Sequence, residues 1–367
     1  MDAFMKAFKY YKQRKPPPDL SHVIDFETPD KYKDMVVPVS VSSLDDDRRL
    51  SSLGLRSGSE WEIFSVKDSP GFFFIKNPFL PGVQWDLVTR CLEVYLCKPN
   101  ISNLDAHMEI KTSIWDSSQD SLDKKSPLYK LRWVTIGYHY NWDTKTYSPD
   151  NKSDFPQDLD QLFVRIANTL GYEKFSPEAG IINYYHLDST LAGHTDHSEF
   201  DLEAPLFSLS LGQSAIFLLG GKSRDDAPVP MYMRSGDIMV MAGKSRLAYH
   251  AVPRVLSPPS DQKSIPSCLK PPCFDQSQHK LLSCPSKAMD TISTNEQSEH
   301  KTVRREAGEL LTKRKNLDGE ECASGVSLSL EKTETDLILQ YLSCSRININ
   351  IRQVLRTGQS FPVDRIT

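Results

Sequence analysis

The run Asn183-Tyr-Tyr-His-Leu-Asp-Ser-Thr-Leu-Ala-Gly-His-Thr-Asp196 decides how the rest of the chain is read. It closes on a His-x-Asp pair, His194 and Asp196. On an extended strand, side chains two residues apart point the same way, so an imidazole and a carboxylate would project together. One further histidine facing them would complete a 2-His-1-carboxylate set, the ligand arrangement of non-haem Fe(II) oxygenases with positions left open for substrates. Asn183 and Tyr185, also two apart, would offer polar groups on one face of the preceding strand.

The missing parts occur downstream. Short apolar runs broken by turns follow Asp196: Pro205 to Leu211, Ala215 to Leu219, Pro230 to Arg234 and Ile238 to Met241. Such spacing predicts a β-barrel or sandwich. His250, at the start of the next run, is the best third ligand. Near the C-terminal end, Arg346-Ile-Asn-Ile-Asn-Ile-Arg352 alternates without exception. Ile347, Ile349 and Ile351 form one face; Arg346, Asn348, Asn350 and Arg352 form the other. Two arginines on one strand face need carboxylates or an anion, since the planar guanidinium pairs with a carboxylate through two parallel bonds. A solvated edge strand is the alternative. A dicarboxylic co-substrate, chelating a metal at one end and clamped by arginine at the other, would use every one of these groups.

The other segments set the frame. At 367 residues, 39% hydrophobic and 25% charged, the chain suits a soluble globular protein of one large domain or two ordinary ones. No run is long enough to span a bilayer, so no membrane partner is expected. Seven irregularly spaced cysteines do not form a disulfide framework and point to a reducing compartment. A net charge of −4 argues against bulk electrostatic binding of nucleic acid, so any such binding would need local basic patches. Residues 1–18 contain a basic amphipathic helix, with Phe4, Phe8 and Tyr11 on one face and Lys6, Lys9, Lys12, Arg14 and Lys15 around the rest. It reads as a surface helix docked on the domain, a phosphate-contacting helix or a targeting segment. Residues 19–69 form a mixed, polar N-terminal extension without visible chemistry. Amphipathic helices are predicted over 83–97 and 159–170, the second closed by Gly171. Trp115 stands alone in a polar loop, where it caps the core or stacks on a base. Leu131 to Trp142 reads as a strand entering an aromatic cluster, with Tyr138 and Tyr140 on one face. That face is either a cross-strand aromatic ladder or a wall for a planar substrate. Residues 257–335 hold one aromatic, Phe274, and many polar residues. This insert is expected to be mostly disordered, because it lacks the apolar surface to offset the entropy of ordering.

Asn183-Tyr-Tyr185, His194-Thr-Asp196, Ser235-Gly-Asp237, Ser245-Arg246…His250 and Arg346-x-Asn348-x-x-x-Arg352 together resemble the AlkB family of Fe(II)/2-oxoglutarate dioxygenases. Leu131 to Trp142 and His250-Ala-Val-Pro-Arg254 are similar, more narrowly, to the eukaryotic homologue-1 branch of that family. The likeness covers about residues 70–256 and 336–362, the expected dioxygenase domain. It implies an α+β fold: a double-stranded β-helix, or jelly roll, with flanking helices. It implies Fe(II), 2-oxoglutarate and O₂, with His194, Asp196 and His250 matching the iron ligands. Asn183, Tyr185, Arg346, Asn348 and Arg352 match co-substrate contacts. Trp115, Tyr138, His139 and Tyr140, with Asp196, match positions shaping the nucleotide pocket. Asn350 replaces the family's threonine. Ser198 stands where bacterial members carry a base-reading acid, with Glu199 adjacent. The implied activity is oxidation of methyl groups on bases of tRNA or of single-stranded or unpaired DNA. Oxidation of histone protein is the alternative, as is a nucleic-acid-binding protein with a vestigial site. The implied state is a monomer inside the cell, in nucleus and mitochondrion, with the cytoplasm as a further compartment.

Overall fold

The computed structural model describes residues 1–41, 47–110, 113–119, 122–258, 265–269, 271 and 333–362. In chain order the strands are β1 (Val36–Pro38), β2 (Glu62–Val66), β3 (Phe72–Lys76), β4 (Ile101–Ser102), β5 (Trp133–Gly137), β6 (Ala179–His186), β7 (Leu191–His194), β8 (Leu206–Gly212), β9 (Ala215–Leu219), β10 (Val229–Met233), β11 (Ile238–Met241), β12 (His250–Val255) and β13 (Ser345–Arg352). The helices are α1 (Ala3–Lys12), α2 (Asp47–Ser52), α3 (Val83–Glu93), α4 (Pro127–Lys130), α5 (Gln157–Thr169) and α6 (Glu334–Leu342). The strands form two antiparallel sheets. The larger has nine strands in the order β1-β2-β3-β11-β8-β13-β6-β5-β4; the smaller has four, β10-β9-β12-β7.

Three apolar layers hold these sheets. The outer face of the large sheet supplies Ile182, Leu209, Ile347, Ile349 and Ile351, which pack with Val88 and Leu92 of α3, Phe163 and Ile166 of α5, and Ile338 of α6. Each isoleucine of β13 is fully buried, worth about 2 kcal/mol of hydrophobic transfer apiece. Between the sheets, Phe72, Phe74, Met239 and Met241 meet Phe217, Leu219, Met231 and Val252. On the far side of the small sheet, Phe4, Phe8 and Tyr11 of α1 cover Ile216, Leu218 and Ala251. The double-stranded β-helix implied by the family resemblance is therefore present, with helices outside both sheets.

The alternation in β13 works because the strand is central. β8 lies on one side of it and β6 on the other, in register Asn348↔Ser210 and Asn348↔Asn183. Its arginine and asparagine face turns inward between the sheets, so the solvated-edge alternative is excluded. β8 alternates to match, with Phe207, Leu209 and Leu211 in the outer core and Ser208 and Ser210 on the inner face.

Some boundaries differ from the sequence reading. The extension over 19–69 is part of the fold: β1 and β2 form one edge of the large sheet, and Ile24 and Phe26 join the core between the sheets. A three-residue strand is too short to show a period, which is why the pattern was silent there. α3 ends at Glu93 rather than near Cys97. α5 ends at Thr169, and Gly171 follows at φ +86°, a conformation glycine adopts without strain. The expected disorder over 257–335 falls mainly on residues outside those described. Within that span Leu269 is fully buried in the core beside α3, so the chain does contribute there. Among the described residues no helix is long and apolar enough to cross a membrane.

α6 re-enters the domain through a carboxylate pair. Thr333 and Asp336 cap it reciprocally, and Trp115 donates its indole N–H to Glu334 at 3.3 Å. Burial, then the neighbouring Glu334 carboxyl, pushes the Glu93 carboxyl up to about 7. A carboxyl whose folded pKa is raised stabilises the fold fully below its unfolded pKa, near 4.5, and this contribution disappears as pH rises through 7. Thermal stability is expected to fall between pH 5 and 8. Glu93→Gln, which cannot ionise, should flatten that slope in a series of melting curves across the range.

Candidate metal centre and co-substrate cleft

The His-x-Asp pair sits where β7 leaves the small sheet, and His250 begins β12 directly opposite, in register His250↔His194. The ligand atoms of His194, Asp196 and His250 all lie within 4.8 Å of one another, a set able to hold one metal ion. His194 Nε2 is 3.8 Å from Asp196 Oδ1, and His250 Nε2 is 3.7 Å from Asp196 Oδ2. The other ring nitrogens face backbone carbonyls: His194 Nδ1 lies 2.9 Å from the Ala192 oxygen and His250 Nδ1 3.1 Å from the Ala248 oxygen. A carbonyl can only accept, so each Nδ1 carries the proton and each Nε2 turns its lone pair to the shared centre. Burial, then His194, lowers His250 to about 4, leaving it neutral as a ligand must be. Burial works to raise Asp196, yet Arg352 above all, then His250 and His194, hold its carboxyl well below the usual range.

Behind the triad lies a buried ion network. Arg352 donates to Asp196 Oδ2 at 3.0 Å and lies 3.3 Å from Glu199 Oε1. Arg246 donates to Glu199 Oε2 at 2.9 Å and to the Asp196 carbonyl at 2.6 Å. Tyr147 donates to Glu199 Oε1 at 3.0 Å. Glu199 is thus buried and engaged by two arginines and a phenol. The base-side position is filled instead by the hydroxyl pair Tyr140–Ser198, 3.1 Å apart. The roles of Glu199 and Tyr147 were not readable from the sequence; the weak signal was an acid three residues past Asp196.

The triad opens on a cleft of about 420 Å³ between the sheets. Asn183, Arg346, Asn348 and Arg352 line its inner end, with Ser208 beside them. Arg346 is 1% exposed and has no carboxylate partner among the described residues. Its Nη2 donates to Ser210 Oγ at 2.7 Å, while Nε and Nη1 have no hydrogen-bond partner. Tyr185 is equally buried, its hydroxyl without a partner and its ring 5.2 Å from the Arg346 guanidinium. A buried cation without a counter-charge is costly. Two guanidinium nitrogens of Arg346 without a partner on the wall of the cleft, with the buried Tyr185 phenol beside them, therefore fit a carboxylate. Asn348 is held by Ser208 Oγ and the Leu209 carbonyl, both at 2.9 Å, and Asn350 donates to Asn348 Oδ1 at 2.9 Å. A triad at one end and a carboxylate seat at the other match a chelating dicarboxylic co-substrate.

Residues 98–352 match the 2OG-Fe(II) oxygenase superfamily. The chain belongs to that superfamily, as an AlkB-family member. It is 42% identical to the nucleic acid dioxygenase ALKBH1 of Homo sapiens, over all of this chain and 87% of that one. It is 32% identical to the DNA N(6)-methyladenine demethylase ALKBH1A of Arabidopsis thaliana over 68% of this chain and 79% of the relative. It is 35% identical to the tRNA demethylase abh1 of Schizosaccharomyces pombe over 53% of this chain and 71% of the relative. The chain is thus an Fe(II)/2-oxoglutarate-dependent dioxygenase, and its family implies Fe(II), 2-oxoglutarate and O₂.

For this AlkB-family chain the structure separates the expected substrate residues. Tyr140 lines the cleft, joined there by Trp142, Lys145 and Tyr147. Trp115 does not: it is 2% exposed in the outer core, its N–H taken by Glu334. His139 does not either. It is buried, with Nδ1 2.9 Å from Thr135 Oγ1. Tyr138 faces away from the cleft, packing on Phe361 under Lys152. Tyr138 and Tyr140 were expected to share one strand face. The strand stops before them, because Gly137 takes φ +69° and lies so close to Glu178 that a Cβ there would be 2.2 Å from its carbonyl oxygen. β5 therefore ends before either tyrosine; both rings still pack on the cluster of Tyr147, Val354 and Leu355, and only Tyr140 also lines the cleft.

Proposed function

We propose that this dioxygenase oxidises methyl groups on the bases of nucleic acid, with tRNA and single-stranded or unpaired DNA as substrates. One observation carries the reading: the cleft mouth beside the triad is built from Tyr140 and Trp142 with Lys145, and Tyr147 lines the cleft beneath them. Trp142 remains 46% exposed, a large ring left at the entrance. Aromatic faces of this kind stack a planar base, and a lysine beside them meets a phosphate. The relatives named above supply the matching activities.

In this reading His194, Asp196 and His250 hold Fe(II), and Arg346, with Tyr185, binds the far carboxylate of 2-oxoglutarate. Asn183 and Asn348 hold the body of the co-substrate. With O₂, the iron and its co-substrate supply an oxidant that hydroxylates a methyl group while 2-oxoglutarate becomes succinate and CO₂. Arg352 keeps the Asp196 carboxylate ionised and aimed. Tyr140 and Tyr147 hold the target base, and the apolar side chains between the sheets exclude water. On an N-methyl base the hydroxylated carbon leaves as formaldehyde; on a C-methyl base the hydroxymethyl group stays. A paired base cannot reach the triad without leaving its stack, hence the preference for unpaired strands.

The test is nucleoside mass spectrometry of tRNA and of single- and double-stranded methylated DNA after incubation with the full chain, Fe(II) and 2-oxoglutarate, with methylated histone peptides in parallel. Loss of a methylated nucleoside, greater in unpaired strands, is expected. Succinate released with peptides and not with any nucleic acid would overturn the reading in favour of a protein substrate.

A further inference from the structure

We infer that Phe4, in the first turn of the N-terminal helix, is a positioning residue for the metal triad, acting through Gly193 on β7 and Gly220 at the end of β9, the strand paired with β12. The inference rests on the triad being the metal site. The Phe4 ring is fully buried on the outer face of the small sheet. A Cβ on Gly193 would come within 2.6 Å of it, and a Cβ on Gly220 within 2.8 Å. Neither glycine has a left-handed backbone, so what both positions require is the space the ring occupies. Gly193 immediately precedes His194. Gly220 immediately follows Leu219, the cross-strand partner of His250. One flat ring therefore rests on the backbone beside both histidines, from the side opposite the cleft.

The helix that carries the ring is tied down along its length. Asp2 accepts from the Met5 amide at 2.6 Å and lies 3.6 Å from Arg224, and the Phe4 amide donates to the Arg224 carbonyl at 2.9 Å. At the other end Arg254 of β12 donates to the Gln13 carbonyl at 3.0 Å. Arg14 donates to the Leu187 carbonyl at 2.5 Å, in the turn that leads into β7. These ties join α1 to β12, to the turn before β7 and to the loop after β9. Removing the ring leaves the His194 and His250 backbones without a stop on their outer side. The imidazoles are oriented through carbonyls two residues away, at Ala192 and Ala248, so backbone slack passes directly to the ring nitrogens.

The experiment is anaerobic titration of the full chain with Co(II), read by its visible absorption, alongside melting temperature. Phe4→Ala is expected to weaken Co(II) about tenfold or more, the range seen when groups that orient ligands are removed, and to change the absorption envelope. Phe4→Leu, apolar but not flat, should fall between and serves if Phe4→Ala does not fold. Phe8→Ala, one turn along the same buried face, should lower the melting temperature and leave Co(II) affinity unchanged. Gly193→Ala should weaken Co(II) in the native background and add little on top of Phe4→Ala, because the clash is gone. Equal Co(II) affinity in Phe4→Ala and the native chain, or an equal loss in Phe8→Ala, overturns the positioning role. A native chain that binds no Co(II) overturns the metal-site reading and this inference with it.

Discussion

Replacing Arg346 with methionine should stabilise the ligand-free chain and abolish its response to 2-oxoglutarate. Both effects come from one fact: the guanidinium is 1% exposed and no carboxylate of the described chain faces it. Burial alone depresses its pKa, with Tyr185 offsetting this in part. A desolvated cation with two idle nitrogens costs several kcal/mol, which the bond to Ser210 and the Tyr185 ring return only in part. Methionine fills similar volume without charge. The loss of the bond to Ser210 costs about 1 kcal/mol. The net gain should appear as a melting temperature a few degrees higher. Removing one side of a buried charge pair in the bound state costs about 3 kcal/mol or more, over a hundredfold in affinity. Thermal shift with and without 2-oxoglutarate, with Mn(II) present, reads both. A variant that melts lower than the native chain and still responds to 2-oxoglutarate would show that Arg346 is not the anion seat.

Asp196→Asn should cost still more in function, because one carboxylate serves two partners. It is the only anion of the triad, and it also neutralises Arg352 at 3.0 Å. The amide keeps the shape and loses the charge. Metal affinity should fall by more than two orders of magnitude, and succinate production should fall to background. Arg352 then keeps only Glu199, at 3.3 Å. Broken buried pairs cost about 3–5 kcal/mol, and the remaining partner places this one toward the lower end. Co(II) titration and succinate release, measured beside a melting curve, separate metal loss from unfolding. Co(II) affinity equal to that of the native chain would remove Asp196 from the ligand set.

What could be read directly was whatever repeats at the period of its own element. The isoleucines of β13 alternate with Arg346, Asn348 and Arg352 because a strand has period two, and both faces landed as the pattern required. The same rule placed Phe207, Leu209 and Leu211 against Ser208 and Ser210. His194, Asp196 and His250 came together because a jelly roll pairs β7 with β12, and spacing plus strand count sufficed to nominate them. Phe4, Phe8 and Tyr11 showed their docked face through helical spacing alone.

Where the period breaks, reading failed. Gly137 ended the strand before Tyr138 and Tyr140, and only Tyr140 reached the cleft. Trp115 and His139 went to the interior because hydrogen-bond partners distant in sequence or one turn back, Glu334 and Thr135, were there to take their polar atoms. Glu199 read only as an acid adjacent to Ser198. Only the fold brought Arg246, Arg352 and Tyr147 around it, from segments up to 153 residues away in Arg352. The sequence by itself determined the strand periods, the ligand types and the charge of the co-substrate seat, since these follow from local geometry and side-chain chemistry. The tertiary structure alone decided which polar groups remain unpaired. That depends on long-range neighbours, and in this chain the unpaired groups of Arg346 and Tyr185 are the ones left for a ligand.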